Sequence, residues 1–159
     1  MENPSLGSIA QVDVAPPIGG STLFSDSHAA YLGLPPDLKD RLQHLYGIND
    51  YRVFMRKYPE ELHNEIKQKV PFGVSHPLLR THPETGKTAL YVHLGFIRQD
   101  ALFDGRTGET LPPDECKDII RQLSVQHTRE EYVCRFRYEA GSIAFWDNRA
   151  VQHYAASDY

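Results

Sequence analysis

The chain has 159 residues, 40% of them hydrophobic and 24% charged, which is typical of a soluble globular protein with one domain. Its formal net charge is -4 with no basic run, so nothing indicates nucleic-acid binding. No apolar run approaches the ~20 residues of a transmembrane helix, and the N-terminus lacks signal-peptide features. The two cysteines lack metal-type spacing, which predicts reduced thiols and a cytoplasmic protein.

The first part of the chain predicts two strands and three covering helices. Ile9 to Val14 favours a strand, and the Pro- and Gly-rich segment 16–20 predicts a turn before a short strand over Ser21 to Phe24. Three helices are predicted, each with one apolar face. The first is 26–32, with Ser25 as N-cap and Gly33 as its end. The second is 35–47, with Leu38, Leu42 and Leu45 in one stripe and Gly47 as its end, and the third is 59–70, with Leu62, Ile66 and Val70 in one stripe.

The segment 49–58, between the second and third helices, is rich in aromatic and basic side chains. The simpler interpretation is a solvated loop that leans on the core. The functional interpretation is a loop that lines an anion pocket. The sequence leaves both open.

The second part predicts a hairpin, a helix and a strand. His76 to His82 and Thr88 to His93 flank a turn at Pro83 to Lys87. After loop signals at 104–108, a helix begins near Pro112, and its inward residues are Ile119, Ile120 and Leu123. Alternation over Tyr132 to Glu139 predicts a half-buried strand.

The closing segment, 141–159, predicts two strands around a turn. The apolar run Ile143 to Trp146 favours a buried strand, residues 147–149 form the turn, and Ala150 to Tyr154 resumes an extended conformation with Val151 and His153 on one face. Such a histidine is either a hydrogen-bonded core residue or a metal ligand. The whole order of elements suits an antiparallel β sandwich or roll with helices on one side.

Four motifs, correctly ordered, carry a family resemblance. They are Gly19 to Phe24, His76 to Lys87, Gly95-Phe96, and Trp146 to Arg149 with Gln152-His153-Tyr154. Together they resemble the iron(II)- and 2-oxoglutarate-dependent oxygenases of the taurine and 2,4-dichlorophenoxyacetate dioxygenase family. The resemblance implies a β-rich α+β fold, a double-stranded β-helix or jelly roll with a helical insertion. Residues 1–159 would form one partial domain, incomplete at both ends.

The resemblance also implies site residues. The family holds iron(II) with two histidines and one carboxylate, leaving positions for 2-oxoglutarate and O2. His153 matches the distal histidine ligand, Thr22 a hydroxyl that holds the far carboxylate of 2-oxoglutarate, and Trp146 a tryptophan near the iron. Phe96 and Tyr51 align with aromatic positions of the substrate pocket. We assign no catalytic acid or base.

Other matched positions have structural interpretations. Asp147, Asn148 and Arg149 are expected to tie the turn before His153, with an arginine–carboxylate pair as one candidate bond. The histidines at 76, 82 and 93 lack closed zinc-ligand spacing, and hairpin hydrogen bonding explains them better.

Two features of the family are not found in these 159 residues. The first is a His-x-Asp pair on a strand before the region that matches Ser5; His63-Asn64-Glu65 and His82-Pro83-Glu84 do not occupy that position. The second is an arginine roughly eleven residues beyond the distal histidine, which would pair with the keto acid. We therefore expect weak or no iron binding by the isolated chain.

Two functions follow from different readings of these observations. One is a dioxygenase that hydroxylates a small anionic organic substrate, such as a sulfonate, while 2-oxoglutarate is decarboxylated to succinate. The alternative is a catalytically silent fragment or binding module. A hydrolase is less well supported, because the sequence has no Gly-x-Ser-x-Gly motif. No nucleic-acid or membrane partner is expected, and a homo-oligomer is compatible with the sequence.

Overall fold

A computed structural model describes residues 3–69 and 73–158. Within these ranges there are ten strands and four α-helices, joined by three 3-10 helices. The strands are β1 (Gly7–Gln11), β2 (Thr22–Asp26), β3 (Leu45–Asn49), β4 (Val74–Pro77), β5 (Leu79–Thr81), β6 (Thr88–Leu90), β7 (Ile97–Asp104), β8 (Val133–Phe136), β9 (Ile143–Asp147) and β10 (Val151–Ala155). The α-helices are α1 (Ser27–Leu32), α2 (Pro36–Leu42), α3 (His63–Lys69) and α4 (Pro113–His127), and the 3-10 helices are Tyr51–Lys57, Glu60–Leu62 and Glu130–Tyr132.

The strands pair antiparallel, and the pairing brings the two ends of the chain together. The orders are β1-β9, β10-β2-β8, β4-β3-β7 and β5-β6. Two of these pairings, β1 with β9 and β2 with β10, join the beginning of the chain to its end. The predicted hairpin around residues 83–87 is confirmed as β5 and β6.

The main core lies between α4 and the sheet that contains β7. Ile119, Ile120 and Leu123 of α4 are buried, as their spacing predicted, and they belong to one apolar cluster with Leu102 of β7. Cys116 is also buried in this core, Cys134 is exposed, and both thiols are free. Among the described residues, no helix is both long and apolar enough to cross a bilayer.

The predicted second helix is wrong at its end, because Gly47 is not a helix stop signal. The helix α2 ends at Leu42, and Leu45 and Gly47 belong to β3. A Cβ atom at Gly47 would lie only 2.5 Å from Cδ1 of Ile97 on the neighbouring strand. Glycine is therefore required here by close packing within the sheet, and not by a helix end.

The cap of the first helix also differs from the prediction. Asp26 caps α1, since its Oδ1 accepts hydrogen bonds from the backbone N–H groups of His28 and Ala29 at 2.8 and 3.0 Å. Ser25, the predicted cap, is buried in β2 instead. Both residue types are good caps, and Asp26, as the last residue of β2, is the one directly before the helix.

Several other boundaries change. The third predicted helix is a 3-10 turn followed by α3, and its last residue, Val70, lies outside the described residues. Segment 49–58 is mostly a 3-10 helix, and β7 was not predicted. The first strand is β1, Gly7–Gln11, where Ile9 to Val14 was predicted, and the strand predicted over Tyr132 to Glu139 is shortened to β8.

The predicted buried strand Ile143 to Trp146 is wrong in its burial. Of the strand β9, Ala144 is buried, but Ile143 and Phe145 are 60% and 77% exposed. Phe145 lies opposite Ile9, which is 70% exposed, so these residues form an apolar row on one face of the β1–β9 pair. A continuous apolar run in the sequence does not show whether one or both faces of the strand are buried.

A buried histidine ends α4. His127 is 3% exposed, its Nδ1 lies 3.2 Å from Oγ of Ser25, and its Nε2 has no hydrogen-bond partner among the described residues. Burial lowers the pKa of His127 to about 4. The ring is therefore neutral in the folded protein near pH 7, and protonation would place an uncompensated charge in the core.

We expect this histidine to make the protein less stable in mild acid. In the unfolded chain a histidine has a pKa of about 6.5, so the unfolded state takes up a proton first as the pH falls. The contribution of His127 to the free energy of unfolding is complete above about pH 6.5, and about 3 kcal/mol of it is lost as the pH falls from 6.5 to about 4. Denaturant unfolding across this range should show a steeper pH dependence for wild type than for His127→Gln. Equal pH slopes in the two proteins would contradict the assignment.

Candidate functional site

His153 lies on β10 within a cluster of three aromatic rings. It stands directly opposite Phe24 of β2, and the two ring centroids are 6.0 Å apart. The ring of Trp146 lies 4.8 Å from that of His153 and 5.4 Å from that of Phe24. We call these three residues the His153 cluster. Although His153 as a whole is exposed, burial of its ring lowers its pKa and so favours the neutral imidazole, the form that binds metals.

Thr22 lies on the same face of the sheet as His153. It is two residues before Phe24 on β2 and pairs with Ala155, so the alternation of strand side chains puts Thr22, Phe24 and His153 on one side. Thr22 and His153 are diagonal neighbours on adjacent strands, and two residues in such positions are typically about 7–8 Å apart. The structure thus brings these two predicted site residues together.

Phe24 belongs to the His153 cluster, although the sequence motif from Gly19 to Phe24 does not single it out. It lies between His153 and Cys134 in one row across the sheet. The available signal was its position two residues after Thr22. A period of two makes any residue at that spacing share the face of the predicted co-substrate residue.

Hydrogen bonds fix the tryptophan of the cluster. Nε1 of Trp146 donates to Oδ1 of Asn148 at 2.9 Å. The amide of Asn148 donates in turn to Oγ of Ser8 at 2.9 Å and to the carbonyl oxygen of Ser5 at 3.4 Å. Trp146 is therefore held by the N-terminal segment as well as by its own strand.

The turn after Trp146 contains the expected arginine–carboxylate pair. Nε of Arg149 donates to Oδ1 of Asp147 at 2.9 Å, and Nη2 donates to Oδ2 at 2.7 Å. The guanidinium group of Arg149 holds the pKa of Asp147 well below its usual range, with a smaller contribution from the His82 hydrogen bond. The pair is geometrically bidentate, which is the stronger form of this interaction.

The two predicted substrate-pocket residues belong to a second aromatic group, which we call the Phe96 cluster. The ring centroid of Phe96 lies 6.3 Å from that of Tyr51, 5.0 Å from that of Phe54 and 4.3 Å from that of His93. The pKa of His93 is lowered by burial and, to a lesser extent, by electrostatic interaction with His153. The Phe96 cluster is therefore near the His153 cluster, and sequence reasoning had not assigned Phe54 or His93 to it.

Two basic residues of segment 51–57, Arg52 and Lys57, interact with other side chains of this chain. Nε of Arg52 lies 3.1 Å from Oδ1 of Asp50, and Nζ of Lys57 lies 4.8 Å from the ring centroid of Phe54. A cleft of about 410 Å³ opens beside Phe54, between this segment and the start of β7. None of His153, Thr22 and Trp146 lines it, so we do not identify this cleft with the candidate site.

The donor set does not complete a metal site. Among the described residues, no group of three or more His, Cys, Asp or Glu side chains is arranged to hold a metal ion. His63 Nε2 is near the carbonyl oxygens of Met55 and Tyr58, at 2.8 and 3.0 Å, which accounts for it without a metal. His153 is a candidate ligand without its two partners, and no chemical step through a metal can be assigned to these residues.

The chain matches a known protein family along its whole length. All 159 residues match the family model described as "Taurine catabolism dioxygenase TauD, TfdA family". The chain belongs to the TauD, TfdA family. Its expected architecture is confirmed by a taurine dioxygenase structure from Burkholderia xenovorans, which is 34% identical with a TM-score of 0.76 over 99% of this chain. A structure of AAD-2 with Mn(II) and N-oxalylglycine, 23% identical, shares the fold with a TM-score of 0.81.

Curated relatives in this family share the same region. An alpha-ketoglutarate-dependent sulfate ester dioxygenase of Pseudomonas putida is 34% identical over 96% of this chain and 50% of its own length. An alpha-ketoglutarate-dependent 2,4-dichlorophenoxyacetate dioxygenase of Cupriavidus pinatubonensis is 32% identical over 92% and 48%. The chain thus spans about half the length of these relatives. Alpha-ketoglutarate is 2-oxoglutarate, the co-substrate implied by the sequence motifs.

The hydrogen bonds of Asn148 should contribute measurably to stability. Asn148→Leu removes the acceptor for Trp146 and the donors to Ser8 and Ser5, and we expect a loss of about 1 to 3 kcal/mol in the free energy of unfolding. Asn148→Asp keeps the acceptor and should lose less. Urea unfolding followed by circular dichroism measures both. A leucine variant as stable as wild type would show that these bonds do not hold Trp146.

Proposed function

We propose that this chain forms the part of a 2-oxoglutarate-dependent dioxygenase domain that carries the distal histidine ligand. The observation that carries the proposal is the placement of His153 beside Trp146 and Phe24, with Thr22 on the same sheet face. In this proposal His153 binds iron(II) and Thr22 binds the far carboxylate of 2-oxoglutarate. The other two ligands, the family's His-x-Asp pair, would come from polypeptide outside these 159 residues.

The bound iron and keto acid would supply the chemistry that oxidises an unactivated C–H bond with O2. The protein's own residues would hold their partners in place and exclude water. Phe24 and Trp146 would cover one side of His153, and the Phe96 cluster would form a nearby apolar wall of the substrate pocket. These are binding and positioning roles, which is where a protein contributes to such a reaction.

A small organic anion is the proposed substrate class. The relatives include proteins named for a sulfate ester and for 2,4-dichlorophenoxyacetate, both of which are anionic. In this chain an aromatic wall stands next to a segment with basic side chains, including Lys57. An apolar surface with a few charged groups suits a ligand that has an organic body and one anionic group.

A second candidate function is a binding module without catalysis. It is favoured by the donor set, because the described residues do not bring three metal-binding side chains together. Such a module could still bind 2-oxoglutarate or a substrate-like anion. The two functions differ in whether iron binds.

Anaerobic titration with iron(II) and 2-oxoglutarate separates these functions. We expect no metal-to-ligand charge-transfer band from the isolated chain, and a band from a protein extended by its flanking coding sequence if that sequence supplies His-x-Asp. His153→Ala should abolish the band in the extended protein while circular dichroism stays unchanged. A band that survives this substitution would remove His153 from the ligand set, and its absence from the extended wild-type protein would favour the binding module.

The role of Thr22 can be tested in the same extended protein. Thr22→Ala removes one hydrogen bond to a charged group, which is worth about 1.5 to 3 kcal/mol. We therefore expect the apparent KM for 2-oxoglutarate to rise about 10- to 150-fold. Thr22→Ser keeps the hydroxyl and should change this constant much less. Steady-state kinetics with varied 2-oxoglutarate measure both variants, and an unchanged constant for the alanine variant would exclude Thr22 from the co-substrate site.

A further inference from the structure

Three Asp-x-Arg turns of this chain share one local geometry. They are Asp50 to Arg52, Asp104 to Arg106, and Asp147 to Arg149. In each, Oδ1 of the aspartate accepts the backbone N–H of the arginine, at 3.0, 2.8 and 2.8 Å, and also its Nε, at 3.1, 3.1 and 2.9 Å. The side chain of Arg106 is 64% exposed. These local bonds are therefore sufficient for such a turn on an open surface.

The turn from Asp147 to Arg149 differs because the β5–β6 hairpin reaches it. Nε2 of His82 lies 3.0 Å from Oδ2 of Asp147. Nη1 of Arg149 donates to the carboxylate of Glu84, with distances of 3.1 and 3.0 Å to its two oxygens. Unlike Arg106, Arg149 has a side chain that is only 11% exposed. These additional contacts join two parts of the chain that are 65 residues apart.

Both ring nitrogens of His82 have partners. The backbone N–H groups of Glu84 and Thr85 lie 3.3 Å from Nδ1, and Oε2 of Glu84 lies 3.2 Å from the same nitrogen. Nε2 faces Oδ2 of Asp147 at 3.0 Å. The ring is 8% exposed and uses both nitrogens. It thus connects the hairpin tip to the turn in a fixed direction.

The joined turn lies between two members of the His153 cluster. Trp146 immediately precedes Asp147, and β10, which carries His153, begins two residues after Arg149. The backbone N–H of Ala150 also donates to the carbonyl oxygen of Asp147 at 3.1 Å. A shift of Asp147 would therefore move Trp146 and the start of β10 relative to each other.

We propose that His82 and Glu84 are positioning residues for the candidate iron site. They hold the turn 147–149 against the hairpin and so set the approach of Trp146 to His153. The significance of this positioning for iron rests on the proposed function. The positioning itself concerns contacts within this chain and can be measured without metal.

Trp146 makes the proposal testable in the intact chain, because it is the sole tryptophan. His82→Phe keeps an aromatic ring but removes both of its hydrogen-bond functions, whereas His82→Gln keeps a donor and an acceptor. We expect the phenylalanine variant, while folded by circular dichroism, to show a red-shifted Trp146 emission maximum and stronger acrylamide quenching. The glutamine variant should restore most of the wild-type signal.

Glu84→Gln gives a second variant, and we expect it to fold as the wild type does because the Glu84 side chain is 62% exposed. It should shift the Trp146 emission in the same direction by a smaller amount. It should also shift the imidazole resonances of His153 in the spectrum of 15N-histidine-labelled protein. If His82→Phe does not fold, this variant alone decides the outcome.

Arg106→Met is the matched control for Arg149→Met. Both remove an arginine from the same local turn, but only Arg149 reaches the hairpin. We expect the Trp146 fluorescence and the His153 resonances to change in Arg149→Met and not in Arg106→Met. Unchanged signals in folded His82→Phe and in Glu84→Gln would overturn the proposal, even if thermal stability fell. The assay contains neither iron nor 2-oxoglutarate, so a missing charge-transfer band would count against the proposed function and not against this positioning.

Discussion

The candidate site depends on the antiparallel pairing of β2 with β10. This pairing places His153 opposite Phe24 and puts Thr22 on the same face. It is reinforced on the other side, where β8 also pairs with β2. A shift of one residue in this register would turn His153 to the opposite face of the sheet, because strand side chains alternate. The register therefore determines whether the two predicted site residues can act together.

The second determinant is the attachment of Trp146. The indole is bonded to Asn148, which is bonded to Ser8 and Ser5, and the next residue, Asp147, is bonded to the hairpin. Three separate parts of the chain thus meet at one short turn. This explains why the turn is rich in polar side chains although it adjoins an aromatic cluster. Each polar group has a partner that fixes a direction, which apolar packing alone would not provide.

The sequence predicted those features whose signals are local. The apolar spacing in α4 identified its buried face, and Pro and Gly identified the hairpin turn. The motif order identified the family, and the resemblance predicts His153, Thr22 and Trp146 as site residues, which stays a prediction. A match to a family motif suggests a role for a residue even where the residue type alone leaves two interpretations open.

The errors arose where contacts distant in sequence decide the structure. Gly47 lies in β3, where the close approach of Ile97 requires a glycine, and β2 extends through Ser25 to Asp26, which caps α1. Ile143 and Phe145 are apolar yet exposed, which no periodicity could show. Phe54 joins Phe96 only through the folded arrangement of two separate segments. A single sequence contains no direct signal for such proximity.

The joining of the chain's two ends has a consequence for folding order. The Asn148 to Ser8 hydrogen bond spans 140 positions, whereas β5 and β6 are connected by one tight turn. Closing a long loop costs more entropy and is slower than forming a local hairpin. During synthesis, the β5–β6 hairpin can therefore form well before residue 153 has been added. The hairpin would then be a preformed surface on which the turn 147–149 settles, and the arrangement around His153 would take shape after the hairpin.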